Sequence, residues 1–104
     1  MEKEIICVGN GYIQKYYFDE KFSSLPGEVK KSLQVIAVCL SEKLKSIIEI
    51  GFYDDGSVYI ENSRAQDDFD FDEIASKYEI RRIEREEEEL FEGLTLWYNT
   101  IYKR

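Results

Sequence analysis

Taken at about 100° per residue, the stretch Ile80 to Arg104 places Trp97, Leu90, Ile83, Ile101, Leu94, Ile80, Tyr98, Phe91 and Tyr102 within an arc of roughly 140°. That spacing predicts one amphipathic helix docked on a core. Glu87 falls inside the same arc, so the apolar stripe carries a carboxylate in its middle. Asp72 to Lys77 reads as a shorter helix with carboxylates at its positive end. It either continues into the long helix or breaks near Tyr78 to Glu79. Gly93 lies beside the stripe, where it costs about 1 kcal/mol against alanine unless another backbone packs on it.

Upstream the period changes. Ile5 to Val8 and Tyr12 to Phe18 are β-branched and aromatic, with Gly9-Asn10-Gly11 between them, which predicts a hairpin turning at that tripeptide. Ser24 before Leu25-Pro26 is a helix-start signal. From there Leu25, Val29, Leu33, Ile36, Ala37, Leu40 and Leu44 form one stripe, while Val35, Val38 and Cys39 lie on the far side. The second half of this helix is apolar all round, so its outer side is expected to meet another layer or another subunit. Val35 to Leu40 also fits a strand. Ile47 to Asn62 reads as a second hairpin around Asp54-Asp55-Gly56. A three-residue loop with Gly56 left-handed puts Ile48, Ile50, Phe52, Val58 and Ile60 on one face, and sets Glu49 against Glu61 on the other.

The order β-β-α-β-β-α predicts a single α+β domain over residues 1–104: an antiparallel sheet of about four strands in two hairpins, covered on one face by two main helices. With 104 residues and 43% hydrophobic composition, the chain is long enough for one core. Its 14 Lys and Arg stand against 22 Asp and Glu, a formal net charge of -8. That balance argues against nucleic-acid partners, because the general field repels a polyanion. The longest apolar run, Val35 to Leu40, is far too short to span a bilayer, and the first residues do not resemble a secretory leader; a cytoplasmic protein is expected, with no membrane partner. Cys7 and Cys39 both sit in apolar surroundings and read as buried thiols rather than a disulfide.

Histidine is absent, which removes imidazole base catalysis, the usual nucleophile triads and nearly every zinc site. No catalytic residue, cofactor or metal is expected, and the chain is not expected to be an enzyme. Asp68-Phe69-Asp70-Phe71-Asp72 resembles the start of an EF-hand loop with Glu79 at position 12, but Glu73 stands where the sharp turn needs glycine and a strand pair rather than a helix leads in. Gly9-Asn10-Gly11 lacks the following helix that a phosphate cradle needs. The eight tyrosines serve chiefly as apolar filling for the sheet and helix faces. Glu87 is the strongest candidate for a pocket carboxylate; Glu84 resembles it at the edge of the stripe.

Lys15-Tyr16-Tyr17-Phe18, Leu25-Pro26, the apolar Leu33 to Leu40, Asp72-Glu73-Ile74 and the closing Glu89-Leu90-Phe91 to Tyr98 together resemble a family of small uncharacterised bacterial proteins, a domain of unknown function. The resemblance spans most of the chain and implies a bacterial cytosolic protein that works by contact. The expectation is a non-catalytic protein-interaction domain, homodimeric through Val35 and Val38 or through the aromatic end at Trp97 and Tyr98. One alternative is an acidic decoy or immunity-like binder of a basic protein, using Asp67 to Glu73 or Glu84 to Glu92. Another is a small-molecule binder with a pocket near Glu87.

Overall fold

The computed structural model describes residues 2–65 and 72–103. The expected α+β architecture is present. Strands β1 (Lys3–Asn10), β2 (Lys15–Phe18), β3 (Ile47–Tyr53) and β4 (Val58–Ser63) form one antiparallel sheet in the order β2-β1-β3-β4. Helix α1 (Gly27–Leu44) joins the two hairpins; α2 (Glu73–Glu86), α3 (Glu88–Trp97) and a π turn (Tyr98–Tyr102) follow. A short 3-10 turn, Glu20–Phe22, leads into α1, capped by the Asp19 carboxylate accepting from the Lys21 N–H at 2.9 Å.

Parity sets the second hairpin as the pattern demands. Phe52 pairs with Val58, Ile50 with Ile60 and Glu49 with Glu61, and Gly56 takes φ +87°, a conformation strained for any residue with a side chain. The repulsion expected between Glu49 and Glu61 is relieved from both sides. The Tyr59 hydroxyl donates to Glu49 at 2.7 Å, and Lys3 pairs with Glu61.

The first hairpin turns later than Gly9-Asn10-Gly11. Its loop spans residues 11–14, and Gln14, not a glycine, takes the positive φ of 54°. The glycines serve packing instead. A Cβ on Gly9 would lie 2.5 Å from the Ala37 carbonyl oxygen, and one on Gly11 would strike the Ser41 carbonyl, so their bare backbones let α1 sit directly on β1. Ser24 is likewise not a cap: Pro26 precedes the first turn of α1, with no side-chain cap bond. Val35 to Leu40 is helical throughout.

The core lies between the sheet and the helices. Leu33, Ile36, Ala37 and Leu40 from α1 meet Cys7, Ile48, Ile50 and Phe52 from the sheet, all buried. At one end Phe22, Phe52, Tyr98 and Tyr102 form an aromatic cluster, with centroids 4.7 Å apart for Phe52 and Tyr98 and 4.9 Å for Phe22 and Tyr102.

The long terminal helix is broken, and the break is at Glu87 rather than near Tyr78 to Glu79. Glu87 has φ -107° and ψ 26°, although its N–H still reaches the Ile83 carbonyl at 2.8 Å and its carbonyl accepts from Phe91 at 3.0 Å. Neither proline nor glycine marks the spot. Glu86 to Glu89 crowd four carboxylates into little more than one turn, which weakens the helix there. The two halves also dock on different neighbours, α2 on α1 and α3 on β4. Beyond Trp97 the wider π turn rotates Ile101 out to solvent and Tyr102 inward, where its hydroxyl donates to Glu4 at 2.9 Å.

Candidate functional site

Val35 and Glu87 come together. Because α2 leans on α1 while α3 diverges from it, an open seam runs between α1 and the Glu87 bend. A groove of about 470 Å³ lies there, lined by Lys31, Ser32, Val35, Ile36 and Glu87, with Glu28 at its rim. Val35 is 52% exposed; Val38 is half-buried, and its carbonyl accepts from the Ser41 hydroxyl at 3.0 Å. Cys39 is exposed one turn beyond Val35, against the expectation of burial, because it falls on the solvent side of the helix that Ala37 and Leu40 anchor.

The seam continues as a second groove of about 320 Å³, floored by Leu25, Val29, Leu90, Leu94 and Trp97. Gly93 lies at its edge, and among the described residues nothing outside its own helical turn comes within 4 Å of where its Cβ would be. Trp97 is half-buried and forms one wall. Tyr98 is 3% exposed and packs on Phe52, so the aromatic end offers Trp97 but not Tyr98 as surface.

The titratable groups away from the seam are tied into the fold. Glu79, nearly buried between α1 and α2, accepts from Arg82 at 3.1 Å and pairs with Lys43 at 2.5 Å; those two cations, Arg82 first, hold its carboxyl below the usual range. Glu79 thus braces α2 against α1. Asp72 caps α2, its carboxylate accepting from the Ala75 N–H at 2.9 Å, while Asp68 and Asp70 lie outside the described residues. Among the described residues no three or more Cys, Asp or Glu side chains converge closely enough to hold a metal ion, and no helix is long and apolar enough to cross a membrane. Burial pushes the Cys7 thiol up to about 11 and raises the neighbouring Tyr16 hydroxyl, which is sealed beside it without a well-formed hydrogen bond. Such a thiol is inert at neutral pH.

On the opposite side of α2, where the apolar stripe gives no reason to look, Ile74, Lys77, Tyr78, Arg81 and Arg85 share one exposed face. Arg82 pairs with Glu86, four residues on, at 2.8 Å. Arg85 and Glu89 have the same spacing but form no ion pair among the described residues, because the bend at Glu87 falls between them.

One sheet, one helical layer and a seam in that layer define a small two-layer α+β domain. Its family model matches residues 3–104, and the chain belongs to that family, the family of unknown function DUF6145. No curated protein and no solved structure matches the chain.

Proposed function

We propose that this chain is a non-catalytic protein-interaction domain that pairs with a second copy of itself through the outer side of α1 and the seam beside it. The observation that carries the reading is Gly93. A glycine inside a helix costs about 1 kcal/mol against alanine, and here no contact with another element among the described residues requires it. It borders an apolar groove and leaves room for another backbone to approach. Val35, exposed on the rim of the adjoining groove, extends the apolar surface across α1. In light scattering the unmodified protein gives the mass of two chains, and Val35→Lys gives the mass of one with its thermal transition unchanged. A single-chain mass for the unmodified protein at every concentration overturns the reading.

A second reading has one observation in its favour. Glu84, Glu88 and Glu92 form an exposed ridge at helical spacing, and none is within ion-pair reach of a cation among the described residues. They line a groove with Ser57 and Val58, which suits a basic protein partner. The alternative acidic stretch, Asp67 to Glu73, lies for the most part outside the described residues. Capture of a basic protein that survives high salt unchanged counts against it.

A further inference from the structure

We infer that the exposed face of α2 is a docking surface for an acidic peptide segment carrying apolar side chains, a site separate from the α1 seam and independent of self-pairing. The inner face of α2 buries Ser76, Glu79 and Ile80, so the 3.6-residue period turns Ile74, Lys77, Tyr78, Arg81 and Arg85 outward together. Ile74 is 84% exposed and Tyr78 62% exposed, which leaves two large apolar side chains in water one helical turn apart. Around them stand Lys77, Arg81 and Arg85, each without an ion-pair partner among the described residues.

That arrangement is unusual for a chain of net charge -8, in which carboxylates outnumber cations 22 to 14. Two features of the fold produce it. Glu79 and Glu86 are both taken by Arg82, and the bend at Glu87 carries Glu89 away from Arg85. Among the described residues, Asp72 and Glu73 at the start of the helix and Glu84 and Glu88, each three residues beyond one of the arginines, are exposed acids adjoining this face in sequence. Screening limits the reach of the remaining charge to about 8 Å at physiological salt, so a ligand on this face meets the three cations before the distant carboxylates.

The spacing selects the ligand. Lys77, Arg81 and Arg85 recur every four residues, about 6 Å apart along the axis. Carboxylates at alternate positions of an extended peptide recur at about 6.7 Å, and those four apart on a helix at about 6 Å. Either presents one carboxylate to each cation, and the two guanidinium groups can grip theirs through paired hydrogen bonds. Ile74 and Tyr78 then cover an apolar side chain of the same peptide. An anionic membrane is the poorer fit, since two apolar side chains and three cations are too few to anchor a helix on lipid. A nucleic acid is repelled by the rest of the surface.

The test is fluorescence anisotropy of a labelled synthetic peptide in which glutamates alternate with leucines, titrated with the full chain. Saturable binding is expected that weakens steeply with salt. Arg81→Glu combined with Arg85→Glu is expected to weaken it about tenfold or more, and Ile74→Ser about threefold. Both sets of positions are exposed, so unchanged circular dichroism and thermal transitions accompany the losses. Equal binding of the same peptide with glutamine in place of glutamate overturns the proposal. So does binding indifferent to the Arg81 and Arg85 reversals, sedimentation of the chain with phosphatidylserine vesicles in preference to the peptide, or a fall from two-chain to one-chain mass in the double variant. The last result assigns the face to contact between copies. A Val35→Lys monomer that still binds the peptide leaves this site standing whatever becomes of self-pairing.

Discussion

Two glycine-bearing surfaces of this molecule meet their surroundings in opposite ways. Where α1 crosses β1, Gly9 and Gly11 are pressed against the Ala37 and Ser41 carbonyls, and any side chain there would force helix and sheet apart. Where α3 passes α1, Gly93 faces open space across an apolar groove. The same residue type marks a contact the fold has completed in one place and a contact it leaves open in the other. The first kind of surface explains why the domain holds together; the second indicates where something else belongs.

The contrast is broken most directly at Gly11. Gly11→Ala drives a methyl group into backbone rather than into a yielding side chain, and a loss of about 3 kcal/mol or more is expected in denaturant unfolding. A tolerated substitution would mean that α1 can shift and that the tight surface is no constraint. Gly93→Ala reverses the sign. In the Val35→Lys background it raises stability by about 1 kcal/mol, because the helix gains and no other element among the described residues is struck. In the unmodified protein the same change weakens self-pairing, and equal effects in the two backgrounds would remove Gly93 from the contact.

The smallest expected effect concerns pH and sharpens the α1–α2 side of the comparison. The Glu79 carboxyl is held below its ordinary value of 4.5 by Arg82 and Lys43, so it contributes stability above that value, lost as pH falls through its lowered folded value. Glu79→Gln therefore flattens the acid limb of the stability curve. At the other extreme, burial and the bond to Glu4 push the Tyr102 hydroxyl from 10.0 to about 12, and burial pushes the Cys7 thiol from 9.0 to about 11. Raised values contribute below the unfolded ones and are lost as pH rises through the folded ones. Stability measured between pH 9 and 12 falls, and Tyr102→Phe makes the fall above pH 10 shallower without abolishing it, because the Tyr16 and Tyr59 hydroxyls are raised as well.

What was legible in the chain was whatever periodicity alone decides. Parity around Asp54-Asp55-Gly56 fixes the second hairpin, and the inner stripe of α1 emerges residue for residue from Leu33 to Leu40. The break at Glu87 was not legible, since it depends on α2 and α3 docking on different partners rather than on a residue that stops helices. Two consequences follow from it: Arg85 is carried away from Glu89, and a groove joins Glu87 to Val35. Ile101 was misplaced because the π turn changes the period in the last turn. The cationic face of α2 is legible in the helical period, since Tyr78, Arg81 and Arg85 fall on the side of the helix away from Ile80.

The strand order β2-β1-β3-β4 also governs how the chain reaches this structure. Each hairpin can close locally within microseconds, yet the two central ribbons, β1 and β3, belong to different hairpins with the whole of α1 between them. Their union must close a long loop before it gains a single ladder bond. Assembly is therefore expected to wait on the joining of β1 and β3, so that truncations at residues meeting across that junction, Cys7 and Ile50 among them, slow refolding in stopped-flow measurements.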